Sequence, residues 1–241
     1  MDALPSGSAK WTNEAMLFAF DCDGVLVDSE IIAAEVDAEI LTRIGYPVTV
    51  EDVSRRFAGL TSKSIFELVE AELGHPVPAD VLDEQRRELD KRLARDLKSV
   101  PGADAILDVI DGPRCVCSNS STERLRISLE KTGLYDRFKP YIYSAVEVGT
   151  KEPKPSPNVY RHAAKAFDIE PREMLVIEDS VFGVTAAKAA GARVVGFTGA
   201  SHTWPGHADL LTDAGAETVI KRFADLPRVA EALMAWAGMA E

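Results

Sequence analysis

The sequence predicts an α/β fold: a doubly wound parallel sheet with a helical segment inserted after its first strand. Three observations predict it. Short runs that are apolar on both alternating faces recur between polar turns, as in strands covered on both sides. Helical spacings separate these runs from about residue 100 onward, the alternation of a doubly wound sheet. Residues 30–98 break that alternation with helical stripes alone.

Element by element, AMLFAF (15–20) reads as the first strand, preceded by a polar N-terminal tail. The helical insert follows over 30–98, which leaves 15–29 and 99–241 for the α/β core. Its stripes are Ile32, Val36, Ile40, Leu41 and Ile44; then Ile65, Leu68, Val69 and Leu73; then Leu82, Leu89, Leu93 and Leu97. Turn signals at Gly45-Tyr46-Pro47 and Gly74-His75-Pro76 separate them. The charged run DEQRRELDKRLARD reads as a solvated helix face. In the core, RCVCS (114–118) is a strand, and Ser120 with Glu123 has the spacing of a capping box for a helix stopped by Gly133. Tyr160, Ala163, Ala164 and Phe167 follow helical spacing, with Ser156 as N-cap and Pro157 at the first helical position. EMLVIE (173–178) is a strand, and the helix VFGVTAAKAAGA stops at Gly191. ARVVGF (192–197) and ETVIK (217–221) complete the strand set.

Composition narrows the function. The 241 residues carry 27 Lys+Arg against 39 Asp+Glu, a net charge of −12. An acidic surface repels nucleic-acid phosphates and anionic lipid, so neither is an expected partner. A small anionic ligand in a locally positive pocket remains compatible. No apolar run is long enough to span a bilayer, and the N-terminal segment lacks a basic head and apolar core, which predicts a cytoplasmic protein. Cys22, Cys115 and Cys117 suit neither a disulfide framework nor a zinc site and read as buried thiols.

The chemistry-bearing residues fall at strand ends. FDCDGVLVDSE (20–30) places Asp21 and Asp23 two residues apart, on one side of an extended segment with Cys22 on the other. Gly24 allows a sharp turn. Such a pair repels itself unless a cation or shared proton relieves it, although D-x-D-G alone is also an ordinary pair of loop acids. Ser118 and Asn119 end a strand where a helix begins, an arrangement that binds anions or merely caps the helix. In KEPKPSPNVY, Lys154 stands between two prolines that hold its backbone stiffly, with Lys151 as a competitor. Glu178 and Asp179 close another strand, where open α/β sheets bind ligands. Together these positions suit a hard cation such as Mg²⁺ held by oxygens and facing a bound anion. His75, His162, His202 and His207 show no ligand spacing and receive no role.

The order of these strings resembles the haloacid dehalogenase superfamily, in the branch with a helical cap after the first strand of its Rossmann-like core. FDCDGVLVDSE is similar to its first motif, Ser118 to its second, Lys154 in KPSPNVY to its third, and Glu178-Asp179 in EDSVFGVTAAKAAG to its fourth. The resemblance spans about residues 15–223. It implies Asp21 as nucleophile forming an aspartyl-phosphate, and Asp23 as general acid/base. It implies Mg²⁺ held by the Asp21 carboxylate, the Asp23 carbonyl and Asp179 with Glu178 close by, and a phosphoryl group held by Ser118, Asn119 and Lys154. Asp23 argues against a dehalogenase, which lacks that residue. β-Phosphoglucomutase-like members carry a His and a cap Arg where this chain has Ala33 and Ser62, which favours a phosphatase of small phosphorylated metabolites over a mutase. Arg55, Arg56 and Lys63 are cap cations that either reach the substrate or only solubilise the surface. A non-catalytic receiver domain with an acidic cluster, a Ser/Thr and a Lys is a third reading, but such domains have no cap.

Overall fold

The computed structural model describes residues 16–57, 60–110 and 112–237. The expected N-terminal tail, and Ala15 at the start of the first strand, lie outside them. Six parallel strands form one sheet: β1 Leu17–Phe20, β2 Arg114–Ser118, β3 Ile142–Ser144, β4 Met174–Glu178, β5 Arg193–Phe197 and β6 Thr218–Ile220. Their order is β3-β2-β1-β4-β5-β6, so β1 lies between β2 and β4, where the direction of winding reverses. Every residue of β1 is buried because both of its faces are covered. Phe18 and Phe20 enter the apolar layer shared with Phe138, Phe197 and Phe223. Leu17 and Ala19 enter the opposite layer, against Tyr160, Ala163 and Ala187. Full burial of a side chain such as Phe20 contributes about 1.5–3 kcal/mol.

The helices are α1 Glu30–Arg43, α2 Val50–Arg56, α3 Ser62–Leu73, α4 Ala79–Asp96, α5 Ala103–Val109, α6 Thr122–Lys131, α7 Tyr135–Phe138, α8 Asn158–Ala166, α9 Val181–Ala190, α10 His207–Asp213 and α11 Leu226–Ala237. None is long and apolar enough to cross a membrane. The first four form the helical segment after β1. Val36, Ile40 and Leu41 of α1, Ile65 and Val69 of α3, and Leu89 and Leu93 of α4 are buried as their spacing predicts. Leu68 is not: at 47 % exposure it faces outward, and Phe66 takes the inward position on α3. The α4 charges do more than meet solvent, since Arg92 reaches Glu39 and Arg43 reaches Glu84 between α1 and α4. Two chain crossings join this segment to the sheet side by side. The Asp28 amide donates to Lys98 O (2.9 Å) and the Val100 amide to Leu26 O (3.0 Å).

Three local expectations change. β3 has only three residues, two of them half-buried, too short for a period-two signal to appear in the sequence. Ser121, not Ser120, caps α6 by accepting the Arg124 amide at 3.3 Å. α8 starts at Asn158 with Pro157 as its cap residue, while the Ser156 hydroxyl donates to Glu152.

Candidate active site

The carboxyl ends of β1, β2 and β4 converge because these strands are direct neighbours. In register, Phe20 pairs with Val116 and with Ile177, so Asp21, Ser118 and Glu178 emerge at one edge. The Asp21 amide itself donates to Ile177 O at 3.0 Å. Beyond Phe20 the chain turns rather than continuing extended. The Leu26 and Val27 amides both return to Cys22 O, and Gly24 takes φ +75°. A Cβ at Gly24 would lie 2.0 Å from Asp179 Oδ2, so this turn passes against the end of β4. Asp21 and Asp23 both line the cleft above it, while Cys22 packs into the core.

Lys154 is the hub. Its side chain is 2 % exposed, and its ammonium meets Glu178 Oε1 at 2.5 Å, Cys117 O at 2.8 Å and Asp21 Oδ1 at 3.1 Å. Its backbone amide donates to Asn119 Oδ1 at 2.8 Å, which ties the third string to the second. Burial alone would lower the Lys154 pKa, but the Asp21 and Glu178 carboxylates outweigh it and hold the group above its ordinary value. Lys151, the competitor, is exposed and not part of this arrangement.

Glu178 has no exposed surface. Its Oε1 also accepts the Tyr160 hydroxyl at 3.0 Å, and its Oε2 accepts the Ser180 amide (3.0 Å) and hydroxyl (3.1 Å). Asp23 is held differently, by hydroxyls: Ser29 at 2.6 Å, Ser120 at 2.7 Å and Ser118 at 3.2 Å. Burial pushes Asp21 well above the carboxylate range, with Glu178 adding to it, Lys154 opposing, and Asp179 and Asp23 adding further. Asp179 is raised in the same way, by burial first and Glu178 second.

These observations test the site for a cation. Asp21, Glu178 and Asp179 each offer a carboxylate oxygen within 4.8 Å of the others. With Asp23 they make four carboxyl groups against one ammonium, a surplus of negative charge in a buried pocket. All-oxygen donors with excess negative charge suit a hard divalent ion. Glu178 offers fewer open lone pairs than Asp21 or Asp179, because four hydrogen bonds already occupy its two oxygens. The residues present therefore fit such an ion.

Two histidines left without a role are part of the site. His202 Nε2 lies 3.0 Å from Asp179 Oδ2, and His207 Nε2 lies 2.7 Å from Asp179 O. They lie 23 and 28 residues beyond Asp179, on the loop after β5 and at the start of α10, so no local spacing could reveal them. Ser29 and Tyr160 carry no assigned role in the sequence, although they lie in the FDCDGVLVDSE and KPSPNVY strings, and Ser120 reads there only as a helix cap. Trp204 stacks on the His207 ring at 4.2 Å and 7°, whereas Phe197 is fully buried against Phe223.

Above this edge, the α1–α4 segment and the sheet enclose a cleft of about 490 Å³. Ala33 and Ser62 line it, and so do Arg86 and Arg124. Arg55, Arg56 and Lys63 do not line it; they face Glu51, Glu72 and Glu67 on the outside. Arg124 is engaged by Asp90 of α4 at 2.8 Å, while Arg86 is exposed and unpaired among the described residues.

Comparison with known proteins identifies the family. Residues 15–191 match the family model described as haloacid dehalogenase-like hydrolase. The 6-phosphogluconate phosphatase of Escherichia coli K12 is 30% identical over 187 residues, 77% of this chain and 84% of that protein. A haloacid dehalogenase-like protein of unknown function from Agrobacterium tumefaciens C58 has a solved structure. It is 52% identical, with TM-score 0.82 over 93% of this chain and 99% of its own. A haloacid dehalogenase family hydrolase from Deinococcus radiodurans R1, solved with bound phosphate and sodium, is 31% identical with TM-score 0.73, over 91% and 96%.

Proposed function

The chain belongs to the haloacid dehalogenase-like hydrolases, and from that premise we propose a Mg²⁺-dependent phosphatase of small phosphate esters that works through a phosphorylated Asp21. One observation carries the reading: a buried lysine joins Asp21 to Glu178 at the sheet edge, with Asp179 and the hydroxyl-held Asp23 beside them. The likeness to 6-phosphogluconate phosphatase supports a phosphorylated sugar or sugar-acid substrate, and the phosphate bound by the Deinococcus relative supports a phosphate-containing ligand.

Asp21 Oδ1 is fixed by the Cys22 amide at 2.7 Å and by Lys154, which leaves Oδ2 to attack phosphorus. The new bond is Oδ2–P and the broken bond is P–O to the alcohol. Asp23 gives the leaving oxygen its proton. Water then attacks the same phosphorus, Asp23 takes a proton from it, and the Oδ2–P bond breaks to release inorganic phosphate. Ser118, Asn119 and the α6 N-terminus face the transferring group. Asp21, Asp179 and the Asp23 carbonyl would hold Mg²⁺, with Glu178 behind them keeping Lys154 in place. When bound, Mg²⁺ supplies positive charge that lets an anionic carboxylate approach an anionic phosphate.

Residues 15–29 and 99–241 act as the catalytic core and 30–98 as its cap, which shelters the cleft from bulk water while admitting a small leaving group. Ala33 and Ser62 line the cleft where mutase-like members carry His and Arg, and neither offers a base or a cation. This supports hydrolysis over phosphoryl return. The test is Asp21→Asn. It should keep the fold, lose at least about a thousandfold in turnover of p-nitrophenyl phosphate, and fail to accumulate acid-stable radiolabel from [³²P]phosphoester, while chelation silences the wild type. Undiminished turnover by the variant overturns the covalent route. With β-glucose 1-phosphate the product should be inorganic phosphate; glucose 6-phosphate would establish a mutase. A receiver domain would show no sustained release.

A further inference from the structure

Asp179 is gripped from two sides by a segment that the mechanism above does not use. The loop after β5 carries His202, whose Nε2 lies 3.0 Å from Asp179 Oδ2, and leads into α10, whose His207 Nε2 lies 2.7 Å from Asp179 O. A backbone carbonyl only accepts, so His207 donates its Nε2–H there. Burial lowers the His207 pKa, in keeping with a neutral ring. Trp204 covers that ring face to face, and the His202 and His207 rings meet edge-on at 5.8 Å.

The loop is anchored independently of Asp179. Ser201 donates its amide (3.1 Å) and hydroxyl (2.8 Å) to Asp28 Oδ1, at the first crossing into the helical segment. His202 is therefore set by the fold and not by the carboxylate it touches. Gly24 closes the remaining side: a Cβ there would lie 2.8 Å from His202 Cε1 and 2.0 Å from Asp179 Oδ2. The His202 side chain is 5 % exposed, and its Nδ1 is buried without a partner.

We propose that His202 is a positioning residue for the cation site. Its Nε2, at 3.0 Å, braces Asp179 Oδ2, so that Asp179 presents its other oxygen in one fixed orientation. Outer-shell partners of this kind commonly set metal affinity by 10–100-fold. The inference rests on the Mg²⁺ reading of the site.

The experiment measures Mg²⁺ binding without substrate, by calorimetry and by the Mg²⁺-dependent rise in thermal midpoint, for wild type, His202→Phe and His202→Gln. Phenylalanine fills the space without a donor, whereas glutamine reaches the same oxygen with an N–H. The expected result is a Mg²⁺ Kd weakened about 10–100-fold in the Phe variant and largely restored in the Gln variant. If the Phe variant does not fold, His202→Asn, too short to reach Oδ2, takes its place with the same expectation. A purely structural role would lower the metal-free midpoint and leave Kd unchanged, and an unchanged Kd overturns the proposal. Equal weakening in the Phe and Gln variants also overturns it, since packing and not the donor would then matter. A wild type that binds no Mg²⁺ overturns the cation reading itself, and this inference with it.

Discussion

Asp37 offers a test in which the sign and the size both follow from the structure. It lies on α1, is 4 % exposed, and accepts a hydrogen bond from an amide: Gln85 Nε2 of α4 donates to its Oδ1 at 2.7 Å. Burial pushes its carboxyl up to about 6, with the Gln85 hydrogen bond and Arg124 pulling the other way. Unfolded, the group returns to its ordinary value of 3.8. Folded-state pKa is the higher, so the folded protein binds the proton more tightly. The stability this contributes is complete below about pH 4 and is lost as pH rises through about 6. The gap between about 6 and 3.8, at 1.36 kcal/mol per pH unit, makes the loss about 3 kcal/mol at neutral pH. Gln85 Oε1 is buried without a partner. Asp37→Asn keeps an acceptor for Gln85 Nε2 and removes the buried charge.

Asp37→Asn should therefore unfold with the same urea midpoint as wild type below pH 4 and be more stable by about 3 kcal/mol above pH 7. The gain should grow between those limits. Urea titrations at pH 3.8, 5, 6 and 7.5 read this directly. A variant less stable than wild type at pH 7.5, or a difference that does not change with pH, refutes the argument that charge burial is the cost at this position.

Lys154→Ala should reduce turnover far more than Lys151→Ala, and should also destabilise the fold by about 3–5 kcal/mol because Asp21 and Glu178 lose their counter-charge; comparable kinetics for the two variants would reassign the hub. Gly183→Ala sets a Cβ 1.7 Å from Glu178 Oε1, so it should displace Glu178, loosen Lys154 and lower kcat at least about tenfold; wild-type kcat would refute the packing argument. Arg86, on the cleft wall, is unpaired among the described residues, so Arg86→Ala should raise KM for phosphorylated sugar acids more than for phosphorylated polyols. Steady-state kinetics on 6-phosphogluconate and glycerol 3-phosphate decide it, and an equal effect on both refutes carboxylate recognition.

Much of this site could be read in advance because its parts announce themselves locally. Asp21 and Asp23 follow an apolar strand and precede a glycine, Lys154 sits between prolines, and Glu178-Asp179 closes another strand. Each is a short string whose backbone consequences are fixed within a few residues. Where reading failed, the signal was too short or not local. β3 spans three residues and cannot show a period. Ser120 matched a capping box and yet serves Asp23, because its neighbour Ser121 fills the cap one residue later. Leu68 fits a stripe whose inward direction is set by what α3 packs against.

The α/β alternation, the helical segment after β1, and the acids, hydroxyl and lysine at the strand ends are all written in local stretches of the chain. Those follow from hydrophobic periodicity and turn chemistry, which act over a few residues. Tertiary packing alone sets the Lys154 ammonium against Asp21, Glu178 and Cys117 O, brings His202 and His207 back to Asp179, and lines the cleft with Arg86 and Arg124 rather than Arg55, Arg56 and Lys63. Such contacts join residues far apart in the chain, and their geometry is set by strand order and helix packing, which no local pattern encodes.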